Sequence, residues 1–241
     1  MHQFYHHLLT PDSREITLEG QECKHLSKVL RKKPGDKLIL TDGNGGRYEG
    51  VIKTISGNQC VITILEYALS SPFRNAKICI AISPVKSSER LKWFVEKSVE
   101  IGIDRIVPLL CKRSERKKIN PERLKKISIS AMNQSRRQRL PLIDPMTDFE
   151  KFIRNCNTYP EKFIAVCHAD TSDCLYLSYS GNDDACVLIG PEGGFTREEI
   201  DHAVQAGFKP VSLGENRLRT ETAALIAQFV LITKQTREEW L

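Results

Sequence analysis

No stretch of this sequence is long and apolar enough to cross a bilayer. The longest nearly unbroken run, Ala223 to Ile232, is interrupted by Gln228, whereas a spanning helix needs about 20 apolar residues. The opening residues, MHQFYHHLLTPDSRE, lack the basic start, apolar middle and small-residue cleavage site of a secretory leader, so the expected location is the cytoplasm. No CxxC pair occurs among the eight cysteines, at positions 23, 60, 79, 111, 156, 167, 174 and 186. Most lie in apolar, strand-like runs and read as reduced core thiols. Cys167, His168 and Cys174 are the one cluster that suggests a metal. Their spacing fits no standard zinc pattern and a fourth ligand is not evident, so no metal is expected. There is no GK[ST], which removes a Walker A phosphate loop, and GPEGG is not the GxGxxG of a dinucleotide fold. Nucleotide hydrolysis and hydride transfer both lose ground. Internal repeats and low-complexity segments are also absent.

What is present is an ordinary globular composition, 40% apolar and 27% charged, enough to build a core and too apolar for disorder. With 241 residues the chain can form one large domain or two small ones. The net charge of +6 is modest, but its distribution is uneven. Lys112 to Arg139 holds eleven Lys or Arg against two Glu, and Lys24 to Lys37 holds six basic residues against one Asp. These blocks carry +9 and +5, leaving −8 on the remainder. Positive charge gathered in this way suits a polyanion, because each neutralised phosphate releases counterions. A solvated helix face is the plain alternative for KKINPERLKK alone; two separate blocks favour nucleic acid.

The first 70 residues read as short β segments with turns: LILTD (38–42), GNGG, RYEGVIKTI (47–55), SGN and QCVITILEY (59–67). They predict a small β-barrel. In CKHLSKVLR, Leu26, Val29 and Leu30 share one helical face and basic residues the other, which predicts a short basic helix packed on that barrel. After SSPFRNA, strands alternate with helices: 77–83, a helix over 88–101, 104–110, a helix over 121–134, 162–168, 185–190, a helix from Thr196, 210–214, and a last helix from Thr220. Such alternation predicts an α/β fold with a parallel sheet. The boundary falls near 69–76, giving domains over 1–70 and 75–241. Thr196 and Glu199 form a capping-box pattern. The last helix is apolar nearly all round, so it is expected to be buried on more than one side, in the core and at a subunit interface.

Two glycine-containing loops follow the most apolar C-terminal strands: VLIGPEGGF (187–195) and VSLGENRLRTETA (211–223). Ligands of α/β sheets bind beyond the carboxyl ends of strands, where glycine lets backbone approach. GPEGG alone is equally well a tight turn.

IGPEGGF, then SLG about twenty residues on, then LRTETA, together resemble the bacterial 16S rRNA uracil-N3 methyltransferases, a branch of the SPOUT class. The resemblance extends through HLSKVLR and PGD, KSSERLKWFVEKSVEIGIDRIVPLL and NQSRRQRLP, so it covers essentially the whole chain. It implies a PUA-like N-terminal β-barrel, a SPOUT-type sheet with a C-terminal trefoil knot, a homodimer, S-adenosyl-L-methionine in the knot, and 16S rRNA of the small ribosomal subunit as partner. By position, Ile189, Gly190 and Gly194, then Leu213 and Gly214, then Leu218, Arg219 and Thr220 would line the cofactor. Arg219 and Arg137 are the candidates to stabilise charge on a uracil, with Gln134 orienting the base. Lys24, Arg31, Lys86, Lys112, Arg113, Arg136 and Arg137 would hold RNA. The sequence departs from the family at Ile101, where Leu is usual, Asn133, where Glu is common, and Arg136, where Gly is common. Two other readings stay open: a non-catalytic RNA-binding or assembly protein, and a SPOUT methyltransferase of different RNA specificity.

Overall fold

The structure is a computed structural model that describes residues 2–71, 74, 76–167 and 173–235. It divides into two compact units, Met1–Phe73 with Ile129–Leu140, and Arg74–Ser128 with Pro141–Leu241.

The first unit holds a five-stranded sheet of order β1-β3-β4-β5-β2, with β1 Gln3–Tyr5, β2 Glu15–Glu19, β3 Lys37–Thr41, β4 Gly46–Ser56 and β5 Gln59–Leu69. The strands predicted from LILTD, RYEGVIKTI and QCVITILEY are β3, β4 and β5. Alternation along β4 sends Tyr48, Gly50 and Ile52 inward, onto Leu18, Leu38, Leu40 and Ile62. Gly50 is required there by close approach, since a Cβ would stand 2.6 Å from Ile62. In the turn between β3 and β4, Asp42 Oδ1 accepts from Asn44 N at 2.7 Å and Gly46 N at 2.9 Å.

Two expectations need correction here. The cysteine pattern predicts reduced core thiols at Cys23 and Cys60, but the structure joins them in a disulfide, with Cα atoms 5.6 Å apart. Helix α1 (Gly20–Lys24) buries Cys23 against β5; with the two cysteines 37 positions apart in sequence, no local pattern announces the pairing. The predicted short helix exists as α1 followed by a π-type turn over His25–Val29. The wider turn shifts the helical phase. Leu26 therefore stays fully buried and Leu30 partly so, while Val29 is 65% exposed.

The segment Ile129–Leu140 also belongs to this first unit rather than to the second. Hydrogen bonds account for it. Gln3 Nε2 donates to Arg137 O at 2.6 Å, Gly45 N to Gln138 O at 2.9 Å, and Leu140 N to Gly43 O at 2.8 Å.

The second unit is built on a parallel sheet of order β12-β10-β11-β6-β7-β8, with β9 also pairing β7. Its strands are β6 Ile78–Ile82, β7 Arg105–Leu110, β8 Leu142–Ile143, β9 Thr147–Asp148, β10 Glu161–Ala165, β11 Ala185–Ile189 and β12 Lys209–Val211. β6 and β11 are buried at every residue, as expected of central parallel strands covered on both faces. Helix α2 (Ser88–Ile101) packs on α7 (Thr220–Gln235), and α7 also meets β6, β11 and α5 (Leu175–Ser178). This burial on several sides is what the nearly all-apolar sequence of α7 predicts. Helix α4 (Phe149–Asn155) packs on α6 (Arg197–Gln205) and β7. Helix α3 (Pro121–Gln134) starts in the second unit and enters the first at Ile129. Among the described residues no helix is long and apolar enough to cross a membrane, and no group of His, Cys, Asp and Glu is arranged to hold a metal. Cys167 and Cys174 are exposed, and His168 lies outside the described residues.

Candidate functional site

β10 separates β11 from β12, so the loops after those two strands leave the same carboxyl-terminal edge of the sheet two positions apart. In the first, Gly194 N donates to Pro191 O at 2.8 Å, closing PEGG as a turn. Gly194 sits at φ +70°, and a Cβ there would meet nothing within 4 Å. The backbone there is left-handed, which glycine adopts without a Cβ penalty, and the space beside it is open. Gly190 is glycine for another reason: a Cβ would lie 3.1 Å from the Phe195 ring. Thr196 ends the loop and caps α6, with Glu199 completing the capping box as the sequence predicts.

In the second loop Ser212 Oγ accepts from Gly214 N at 3.2 Å and donates to Gly214 O at 3.1 Å. Gly214 has φ +126° and open space where a Cβ would stand. The third segment is fastened to the first, because Thr220 Oγ1 donates to Gly190 O at 3.1 Å. Thus Ile189, Gly190 and Thr220 form a buried or half-buried floor; Leu213 and Leu218 are half-buried, and Gly214 and Arg219 are exposed. Arg219 occupies the position before α7, its carbonyl accepting from Ala223 N.

The basic candidates divide between the units. Lys86, Lys112 and Arg113 lie in the second, each already engaged. Lys86 Nζ pairs with Glu115 at 2.9 Å, and that bond raises its pKa. Lys112 Nζ pairs with Glu198, which likewise raises it. Arg113 Nη1 donates to Gly193 O at 2.8 Å. Lys24, Arg31, Gln134, Arg136 and Arg137 belong to the first unit. All but Arg137, which is half-buried, are exposed. Arg136 adopts φ +57°, a conformation in which glycine carries no Cβ penalty. This accounts physically for the glycine expected there from the family resemblance.

The sequence reading missed a buried polar bracket behind these loops. Ser83 Oγ and Ser114 Oγ bond at 2.8 Å, and Ser114 Oγ also accepts from Cys111 N at 2.8 Å. Glu199, 1% exposed, accepts from Lys112 N at 2.7 Å and Thr196 N at 2.8 Å. Burial pushes the neighbouring Cys111 thiol far up, keeping it protonated. Glu221, also buried, stands 3.7 Å from Arg90. Glu192 Oε1 accepts from Lys86 N at 3.1 Å. The capping box was the readable trace of this network; the serine pair has no sequence sign.

Comparison with known proteins identifies the family. A family described as RNA methyltransferase domain matches residues 72–232, and one described as RNA methyltransferase PUA domain matches 18–65. The Rickettsia conorii protein named ribosomal RNA small subunit methyltransferase E is 30% identical, with 94% of each chain covered. A crystal structure of a probable rRNA-methyltransferase from Porphyromonas gingivalis is 38% identical, covers 98% of this chain and 99% of its own, and has a TM-score of 0.90. The Neisseria gonorrhoeae ribosomal RNA small subunit methyltransferase E, solved bound to S-adenosyl methionine, is 27% identical with 97% of each chain covered and a TM-score of 0.86. With the RNA methyltransferase domain spanning most of its length and such likeness along nearly all of it, the chain belongs to the ribosomal RNA small subunit methyltransferase E family of RNA methyltransferases.

Proposed function

We propose that the protein transfers a methyl group from S-adenosyl-L-methionine to N3 of a uridine in 16S rRNA, acting in the cytoplasm as a homodimer on the small ribosomal subunit. The observation that carries this reading is the pair of left-handed glycines, Gly194 and Gly214, open to space at the rim of a floor pinned by the Thr220 to Gly190 bond. Such a rim fits an adenosine group, which takes an apolar slot edged by backbone N–H and C=O groups. Leu213 and Leu218 would supply the apolar walls above the Ile189 floor, and Gly190, Gly194, Gly214 and Thr220 the backbone edge. The cofactor-bound Neisseria gonorrhoeae relative, matched over 97% of this chain, supports the assignment.

When bound, the cofactor supplies a methyl already activated by its sulfonium. The protein's part is to hold the base nitrogen in line and to stabilise charge as the N3 proton leaves. Arg219, exposed at the start of α7, and Arg137 would face the uracil oxygens, with Gln134 fixing the base edge. The uridine has to leave its stack to be reached. Lys24, Arg31, Arg136 and Arg137 would grip the surrounding backbone, with Lys86 and Lys112 contributing charge. In this reading residues 1–70 act as a PUA-like module, which Ile129–Leu140 complete, and 75–241 hold the SPOUT domain, whose C-terminal loops form the trefoil knot.

The test is calorimetric titration of the purified protein with S-adenosyl-L-methionine, repeated with Gly194→Trp, followed by methylation of small subunits that lack the modification. Saturable binding by the wild type, lost in a variant with an unchanged circular dichroism spectrum, supports the reading. A folded wild type that binds no cofactor with or without subunits sinks it.

A further inference from the structure

Lys112 and Arg113 sit in the most basic stretch of the chain, where a polyanion contact is the natural expectation. Arg113, however, spends its guanidinium inside its own unit. Nη1 donates to Gly193 O at 2.8 Å and reaches Phe195 O at 3.4 Å. These two carbonyls flank Gly194, the left-handed residue of the PEGG turn. The peptide that ends in Gly193 O carries the Gly194 N–H, which bonds Pro191 O; the peptide that ends in Phe195 O carries the Thr196 N–H, which bonds Glu199. One guanidinium therefore fixes the planes of both peptides around the turn. Its stem is held close, with Cδ 3.4 Å from where a Cβ on Gly193 would stand.

The loop that presents Arg113 is itself braced. Lys112 N is bound by Glu199, Ser114 is bonded to Ser83, and Arg116 Nε donates to Val85 O at 2.9 Å. The loops after β6, β7 and β11 are thus one hydrogen-bonded assembly, with Arg113 as its contact with the glycine turn.

We infer that Arg113 is a positioning residue for the methyl-donor loop, setting cofactor affinity through Gly193 and Phe195 rather than binding RNA phosphate. This rests on the cofactor site proposed above. Both bonds leave the single nitrogen Nη1, so lysine keeps a cationic donor for these carbonyls but loses the planar group that fixes its direction, and it should rescue part of the function.

The experiment uses the full-length protein as Arg113→Gln and Arg113→Lys, with tritiated S-adenosyl-L-methionine and small subunits that lack the modification. Loss of a charge-assisted bond of about 1.5–3 kcal/mol corresponds to roughly 10- to 150-fold. Arg113→Gln is expected to raise the cofactor Kd and KM by at least about 10-fold, Arg113→Lys by less, while subunit affinity and its salt dependence stay as in the wild type. Thermal melts of both variants identify any unfolded one, and Arg113→Lys carries the test if Arg113→Gln fails to fold. The inference is overturned if cofactor affinity is unchanged while subunit affinity falls and the salt slope drops by about one, the mark of a lost phosphate contact. It is equally overturned if neither affinity moves. A wild type that binds no cofactor refutes the function proposed above, and this inference with it.

Discussion

Replacing Glu199 by glutamine should cost far more than its position on a helix end suggests. The carboxylate is buried and accepts two backbone N–H bonds, from Lys112 at 2.7 Å and Thr196 at 2.8 Å. Glutamine keeps one oxygen and turns an amide NH2 toward the other donor. The retained bond falls from charge-assisted strength to that of a neutral one, a loss of about 1 kcal/mol, and the second becomes a buried donor facing a donor, at about 2 kcal/mol. The total is about 3 kcal/mol. For a unit of this size that lowers Tm by roughly 6–12 °C. Thr196→Ala, which removes only the 3.2 Å bond from Glu199 N to Thr196 Oγ1, should cost about 1 kcal/mol, and the double variant less than the sum because the two share one capping box. Urea unfolding followed by circular dichroism measures all three, with the midpoint moving at constant slope. A Glu199→Gln loss below about 0.5 kcal/mol, inside the usual range of surface changes, would refute the claim that this carboxylate braces the loops.

Two further outcomes are expected in the first unit. Leu26→Ala should cost about 2–5 kcal/mol and Val29→Ala less than about 0.5 kcal/mol, because the π-type turn buries only the former; equal losses in urea titration would restore a regular helix. Burial raises the pKa of Glu22 above its unfolded value, so the stability tied to its neutral form is complete below the unfolded pKa and fades as pH rises through the folded one. Glu22→Gln should therefore be more stable than the wild type at pH 7 and indistinguishable from it at pH 3, and a variant destabilised at pH 7 would reverse the sign.

Much of the architecture was legible because caps and periodicity are local. Ser87 caps α2 and accepts from Arg90 N, and Thr196 caps α6, so both helix starts could be read from a few residues. β1, β8 and β9 could not, since their two or three residues carry too little alternation to read, whereas β12, also three residues, lies in the PVSLG run that shows as a strand. α4 was readable in principle, from the Asp148 cap and buried Phe149, Phe152 and Ile153, yet its seven residues gave too short a pattern to stand out. In the site, the glycines of both loops were visible as letters, but the different reasons for Gly190 and Gly194 emerged only from the Phe195 ring and the backbone angle. Charge runs report the sign of Arg113, not its bonding partners. The disulfide and the Val29 phase shift escaped for the same reason: each depends on geometry beyond the reach of local spacing.

The inclusion of Ile129–Leu140 in the first unit fixes an order of events during synthesis. The five strands of that unit are all available once Leu69 has been made, but the carbonyls of Met132, Arg137 and Gln138 that receive Gln3 Nε2 and Gly45 N come about 70 residues later. At roughly 5–20 residues per second, the nascent sheet waits several seconds with that rim unfinished, while β6, α2 and β7 emerge. The amino-terminal unit is thus not a module that can be completed first and handed on, and a fragment cut at the apparent boundary near residue 70 reproduces the waiting state rather than the finished one.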